Sequence, residues 1–190
     1  MNIYPDQPDP MPFIERLSAK EPIYREAAAW TLGEIGSLRA TRPLAGLLIR
    51  EVETVEITGF VHHTDVVRAT VEAIRRIGTS DALYALVRAL CVMSRAVHVD
   101  RDAVIEVVDS IGELGGPNAM REAADRVVRD ARIHLDDAGE GLRIVGTVLM
   151  SRLSLCGDAA VATLRRLAQR APGTLQPLAA RAYDSVRSLS

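Results

Sequence analysis

Several residue types are scarce in this chain of 190 residues, and each scarcity excludes a class of protein. Two cysteines without a CxxC pair exclude a disulfide framework and a cysteine-based zinc site. The aromatic residues are one Trp, four Tyr and two Phe, too few for a platform on which bases could stack. Because the net charge is also −2, the sequence argues against nucleic acid as the partner.

Long hydrophobic runs are also missing. No apolar segment approaches the roughly 18–20 residues that a bilayer-spanning helix needs, because Arg, Asp or Glu interrupts every predicted helix. The segment from Met1 to Met11 contains Asp6 and Asp9 but no basic residue and no apolar centre, so it does not resemble a signal peptide. We therefore expect a cytoplasmic protein that does not bind membranes, with both cysteines, Cys91 and Cys156, as free thiols inside helices.

Lysine is almost absent, since Lys20 is the only Lys among 23 basic residues and the others are Arg. Arginine favours bidentate pairing with carboxylates and phosphates, which is one explanation of the bias. The codon usage of a GC-rich genome is the other. Hydrophobic residues at 48% and charged residues at 25% are ordinary for a single soluble domain.

One sequence pattern recurs along the chain. It runs from Arg25 to Gly36, returns from Val67 to Gly78, and returns again from Ile105 to Gly115. Its three glycines are 42 and 37 residues apart, which is the period of a two-helix repeat. Such units bury their apolar faces against their neighbours, so the pattern predicts a stacked helical solenoid.

The periodicity divides the chain into a tail and one domain. Four prolines within residues 1–12 predict a flexible tail, and residues 13–190 form the repeat domain, beginning with a short helix over 13–20. Pro22, Asp65, Ser80 or Asp81, and Asp100 are typical of helix starts. The predicted pairs are 22–35 with 39–52, 64–78 with 80–94, 101–114 with 117–132, and 141–155 with 158–170, followed by a last helix over 175–189.

Two connections between helices are longer than the others. Residues 51–64 alternate acidic and apolar side chains, which fits an extended helix, a protruding hairpin or, as we favour, an ordered excursion. Residues 134–140 are acidic and predict a surface loop. Long loops in repeat proteins often carry specificity.

The run from Tyr24 through Gly36 to Leu48 resembles the HEAT-like repeats of phycobilin lyases, and the related segments at 67–90 and 105–128 share this resemblance. The resemblance implies an all-α fold, a right-handed α-α superhelix of about four helix pairs with terminal capping helices. It also implies that the first helix of each pair lines the outer, convex side and the second helix the inner, concave side. This repeat serves many unrelated scaffolds, so it predicts the fold better than the function.

Charge is distributed unequally between the first and the second helices of the predicted pairs. Counted over 39–52, 80–95, 117–132 and 158–170, the predicted second helices carry 12 Arg against 6 acidic residues. Counted over 21–36, 65–78, 100–115 and 140–155, the first helices carry 7 Arg against 11 acidic residues. A row of Arg on a concave surface would attract an acidic segment, although a solvated face neutralised by Asp125 and Asp130 is the alternative. The candidate partner-binding residues are Arg42, Arg50, Tyr84, Arg88, Arg95, Arg121, Arg129, Arg166 and Arg170.

No motif indicates catalysis. The pair His62-His63 fits a polar loop better than a metal site, and neither a His-Glu dipeptide nor a P-loop occurs. We therefore expect no cofactor or metal, and a non-enzymatic scaffold that binds an acidic segment of another protein. Two alternatives stay open: a lyase-like subunit acting on a tetrapyrrole or another cofactor-bearing protein, and a nucleic-acid-binding HEAT-like protein.

Overall fold

The computed structural model describes residues 8–133 and 139–188. Apart from an isolated parallel bridge between Phe60 and His98, these residues contain no strand. Short 3-10 turns occupy Leu38–Ala40 and Ser80–Ala82. The helices are α1 (Met11–Arg16), α2 (Pro22–Ile35), α3 (Thr41–Glu53), α4 (Val55–Thr58), α5 (Thr64–Ile77), α6 (Leu83–Ser94), α7 (Arg101–Ile133), α8 (Glu140–Ser154), α9 (Asp158–Arg170) and α10 (Leu175–Ser188).

The recurring glycine ends the first helix of a pair in the first two repeats. Gly36 closes α2 with φ of 67° and Gly78 closes α5 with φ of 72°, both in the left-handed region. A residue with a Cβ is strained there, which is why glycine is preferred after the last helical residue. The repeat pattern thus identified two helix ends correctly.

The third repeat breaks between the predicted helices 101–114 and 117–132, as the sequence indicated. Gly116 is the non-helical residue inside α7, with φ of 61° and ψ of −161°, and Pro117 follows it as the start of the second half. Gly115 has a different role, because a Cβ there would lie 2.9 Å from Leu83 Cδ1. The two halves of α7, 101–115 and 117–133, are therefore the third helix pair.

Of the predicted helix caps, one is confirmed and the others are wrong. Asp100 caps α7, since its Oδ1 accepts a hydrogen bond of 2.9 Å from the Ala103 amide. Asp65 was wrongly predicted as a cap, because it lies inside the first turn of α5 and residue 63 is the N-cap. Ser80 and Asp81 were also wrong, because Thr79 Oγ1 accepts the hydrogen bond from the Asp81 amide.

The ends of the chain differ slightly from the sequence prediction. Helix α1 begins at Met11 rather than at residue 13, since a proline such as Pro12 is compatible with the first turn of a helix. Residues 1–7 of the predicted tail, residues 134–138 of the predicted acidic loop and residue 189 of the last helix lie outside the described residues.

Helices of the same kind stack in two layers. The first helices α2, α5, the first half of α7 and α8 pack in that order, and so do the second helices α3, α6, the second half of α7 and α9, with α10 against α8 and α9. Leu44, Leu47 and Leu48 of α3 follow the spacing of one helix face and are fully buried between the layers. The all-α repeat fold is confirmed, while the right-handed superhelix stays a prediction.

A buried ion pair ties the N-terminal helices to the stack. Arg25 Nε donates to Glu51 Oε1 at 2.8 Å and its NH2 donates to Oε2 at 3.2 Å. The other terminal nitrogen of Arg25 donates to the carbonyls of Ala19 and Lys20. Because the guanidinium and the carboxylate are both buried and fully hydrogen-bonded, each compensates the desolvation of the other.

The connection over 51–64 is an ordered excursion. It comprises the last turn of α3, the single turn of α4 and a left-handed residue at Gly59. The Val97 amide donates to the Gly59 carbonyl at 2.8 Å, which fixes the excursion against the loop between α6 and α7. The excursion exposes Ile57 and Phe60.

No helix within the described ranges is both long and apolar enough to cross a membrane.

Candidate interaction surface

The second helices form a face with two neighbouring grooves. The first, which we call the α6–α7 groove, lies between α6 and the second half of α7 and has a volume of about 450 Å³. The second, the α7–α9 groove, lies between the second half of α7 and α9 and measures ≈ 250 Å³. Arg129 lines both, so the two grooves adjoin along one helix.

Four of the nine predicted residues line the α6–α7 groove. Tyr84, Arg88 and Arg95 come from α6, and Arg129 comes from α7. Tyr84 is 65% exposed, so its ring is available at the wall of the groove. The floor is apolar, because Leu83, Val87, Cys91, Val92 and Ala119 also line this groove.

Some of these arginines already have acidic neighbours. Arg88 pairs with Glu53 of α3 at 2.5 Å, and this hydrogen bond raises the pKa of Arg88 above its ordinary value. Arg95 forms an ion pair with Asp130 at 3.3 Å across the groove. The positive charge of these two residues is thus partly neutralised within the chain.

The α7–α9 groove contains two further predicted residues, Arg166 and Arg170. Arg166 NH2 donates to both carboxylate oxygens of Asp125 at 2.7 Å. Arg132, which also lines this groove, donates to the carbonyl of Arg170. The groove is lined by four arginines and one acidic residue.

The remaining predicted residues line neither groove. Arg42 is exposed on α3. Arg50 donates to the carbonyl of Leu17 at 2.9 Å, which ties α3 to the segment after α1. Arg121 donates to the carbonyl of Ala159 at 3.2 Å and also contacts Asn118. Arg50 and Arg121 therefore connect elements of the fold.

Three residues of the α6–α7 groove were missed by the sequence analysis: Cys91, Arg126 and Ile133. Arg126 is exposed and has no ion pair within the described part of the chain. The signal was present, because 122, 126, 129 and 133 follow the spacing of one helix face. Ile133 is 76% exposed and adds apolar surface at the end of the groove.

Burial determines the chemistry of the one thiol in this groove. It raises the pKa of Cys91 to about 11, Asp130 adds to the rise, and Arg126, Arg95 and Arg129 oppose it. A thiol with such a pKa is protonated at neutral pH and is a poor nucleophile. Cys91 therefore acts here as an apolar lining residue.

The histidines within the described residues belong to no cluster of metal-ligating side chains. Within residues 8–133 and 139–188, no three His, Cys, Asp or Glu side chains converge as metal ligands do. His98 Nδ1 lies 3.0 Å from Glu140 Oε2, and this contact lowers the pKa of Glu140. Asp100, two residues after His98, is used as the cap of α7.

Comparison with known proteins agrees with the fold. Residues 24–49 match the family model described as the PBS lyase HEAT-like repeat, a stretch that covers most of α2 and most of α3. The match supports the resemblance to HEAT-like repeats that the sequence indicated over the same stretch. A search of curated proteins found no match to the chain.

Proposed function

We propose that this protein is a non-enzymatic interaction scaffold whose second-helix face holds an acidic segment of another protein. The observation that carries the proposal is the charge of the two adjoining grooves. Together they are lined by seven arginines, Arg88, Arg95, Arg126, Arg129, Arg132, Arg166 and Arg170, against the three acidic residues Glu122, Asp125 and Asp130. In a chain of net charge −2, this is a local reversal of sign.

The lining also indicates what kind of acidic segment would fit. The floor of the α6–α7 groove is apolar, and the exposed ring of Tyr84 and side chain of Ile133 lie at its walls. Acidic residues of the partner would pair with the arginines, while apolar residues between them would bury surface on the floor. A segment that alternates the two kinds of residue is therefore expected.

Arg126 and Arg129 are the arginines best placed for an incoming carboxylate. Both are exposed, and neither is in an ion pair within the described residues. Arg129 Nε makes only a long hydrogen bond, 3.4 Å, to the carbonyl of Asp125. Arg88 and Arg166, in contrast, would have to exchange Glu53 and Asp125 for a ligand.

The test uses fluorescence anisotropy with a labelled peptide of alternating Glu and Leu residues. We expect binding that weakens steeply between about 50 mM and about 500 mM NaCl, because the attraction is screened. The double variant Arg126→Glu/Arg129→Glu should lose at least about tenfold in affinity, which corresponds to about 1.4 kcal/mol.

The matched control is Arg101→Glu/Arg181→Glu, which changes the formal charge equally at exposed positions outside both grooves. Equal affinity of the two double variants would refute the proposed surface. Biliverdin and a DNA duplex serve as further probes, since groove-dependent binding of either one in place of the peptide would favour a lyase-like or a nucleic-acid-binding function.

A further inference from the structure

The opposite face of the molecule has a groove of opposite charge. This first-helix groove lies between α2, α5 and the first half of α7 and has a volume of ≈ 460 Å³. Two arginines, Arg68 and Arg75, line it against six acidic residues, Glu26, Asp65, Glu72, Glu106, Asp109 and Glu113.

Most of these carboxylates are held in ion pairs, but two are not. Arg68 pairs with Glu106 at 2.8 Å, and Arg75 pairs with both Glu72 and Glu113. Arg152, on α8, pairs with Asp109 at 2.6 Å. Among the described residues, Glu26 and Asp65 have no cationic partner, so the groove keeps negative charge beside α2 and the start of α5.

A buried hydroxyl without a partner lies in the same groove. Ser110 lines it and is fully buried, and its Oγ makes no hydrogen bond to any described residue. A helical hydroxyl can bond to the carbonyl four residues earlier, as Thr70 does to Val66 at 2.6 Å. An unsatisfied buried hydroxyl is costly, which points to a ligand that supplies the missing hydrogen bond.

An exposed indole completes the lining. Trp30 is 41% exposed and lines the groove, and the Arg76 guanidinium lies 5.3 Å from its ring centroid. Aromatic rings next to carboxylates favour organic cations. Since no described set of three ligating side chains converges, the surface fits an organic cation better than a metal ion.

We propose that the first-helix groove binds a Lys- or Arg-bearing segment of a partner protein. Glu26 and Asp65 would supply the charge, Trp30 an aromatic wall and Ser110 a hydrogen bond within the groove. The basic second-helix face of another copy of this chain is a poor occupant of this groove. That face consists of grooves itself, so it has no projecting segment to insert. This surface is additional to the one proposed above and does not depend on it.

The test measures anisotropy of a labelled peptide of alternating Gly and Arg residues. The double variant Glu26→Gln/Asp65→Asn removes both unpaired carboxylates without breaking an ion pair, and we expect it to weaken binding about fivefold or more. The control Glu15→Gln/Asp184→Asn makes the same substitutions at exposed positions outside the groove and should bind like the unmodified protein.

A second variant tests the hydroxyl. Ser110→Ala should weaken binding of the Gly-Arg peptide about threefold or more, while its thermal unfolding midpoint should stay unchanged or rise, because a buried group without a partner has been removed. A purely structural role would give the opposite pair of results, a lower midpoint with unchanged binding, and would overturn the proposal.

Two other outcomes would also overturn it. One is equal binding by Glu26→Gln/Asp65→Asn and its control. The other is self-association that the same variant abolishes while the Gly-Arg peptide does not bind, which would make a second copy the occupant. The Glu-Leu peptide is measured on every variant, so that failure of the basic second-helix face and failure of this groove are seen separately.

Discussion

Arg25 illustrates how a single residue can connect three elements of this fold. Its guanidinium contacts Glu51 of α3 and the carbonyls of Ala19 and Lys20, which precede α2. Since the ionised side chains are 11% and 6% exposed, neither charge can be solvated if its partner is lost. The recurring phrase begins at Arg25, but the sequence gives no sign that its partner is Glu51.

The first prediction concerns this pair. Arg25→Met should lower the free energy of unfolding by about 3–5 kcal/mol, because Glu51 is left as an uncompensated buried charge. The double variant Arg25→Met/Glu51→Leu should recover a large part of that loss. Urea unfolding followed by circular dichroism measures both, and a single variant within about 1 kcal/mol of the unmodified protein would contradict the prediction.

The second prediction concerns the pH dependence of stability. Burial raises the pKa of Cys91 from 9.0 to about 11, so the thiol of the unfolded chain releases its proton first as the pH rises. The free energy of unfolding should therefore fall between about pH 9 and pH 11, with about 2 kcal/mol of the fall due to this thiol.

The comparison with Cys91→Ala isolates that contribution. Every other titratable group is present in both proteins, so only the difference between the two curves reports on Cys91. Urea unfolding at several pH values, with a reductant present, gives the curves. Parallel curves would show that burial does not perturb this thiol.

Site residues were predictable to the extent that helix position determines exposure. Tyr84, Arg88, Arg95 and Arg129 were placed on one face by periodicity, and they line one groove. The partners of these residues were not predictable, because Glu53 and Asp130 approach them from other helices. Whether the predicted residues bind a partner stays a prediction.

At the scale of elements, one glycine determines how closely two helices pack. A Cβ at Gly33 of α2 would lie 2.9 Å from the Cα of Ala73 in α5. The obstacle is backbone, which cannot rotate away as a side chain does. The small residues at this crossing therefore set the separation of the first two repeats.

The third prediction compares two glycines within helices. Gly33→Ala should destabilise the protein by about 1–3 kcal/mol because it overpacks the contact with α5. Gly46→Ala in α3 should stabilise it by about 0.5–1 kcal/mol, since nothing lies within 4 Å and alanine is the better helix former. The thermal unfolding midpoint should fall for Gly33→Ala and rise for Gly46→Ala. A stabilising Gly33→Ala would contradict the close approach of α2 to α5.

Element boundaries were predicted well where glycine or proline ends a helix and less well elsewhere. Gly36 and Gly78 fix backbone conformations that few other residues adopt, so their role follows from sequence. A Cβ at Gly115 would overlap Ala119 Cβ and lie 2.9 Å from Leu83 Cδ1, a packing contact that the sequence does not show. The caps at Asp65 and Ser80 failed because several neighbouring polar residues could serve equally well.

At the scale of the whole molecule, contacts between repeats follow the repeat length. Ion pairs Arg68–Glu106 and Arg75–Glu113 join residues 38 positions apart, and Arg121 reaches the carbonyl of Ala159 over the same interval. The same spacing separates Gly78 from Gly116. Residues at equivalent positions of successive repeats therefore meet, as nearest-neighbour stacking requires.

The fourth prediction tests the charge asymmetry without any partner. Despite a net charge of −2, the protein should be retained on a sulfated resin at low salt through its second-helix face. Arg126→Glu/Arg129→Glu should elute much earlier than Arg101→Glu/Arg181→Glu, although both have the same formal charge. Identical elution would mean that net charge, and not its distribution, controls retention.

The pairing of equivalent positions limits how such a chain can have grown. In the ion pairs Arg68–Glu106 and Arg75–Glu113, Arg belongs to one unit and Glu to the matching position of the next, and in Glu34–Arg76 the order is reversed. A faithful tandem duplication of any of these units would bring Arg against Arg or Glu against Glu. Two copies of a unit could pack as neighbours only after their sequences had diverged. The sequence differences between the repeats therefore determine the order in which the repeats stack.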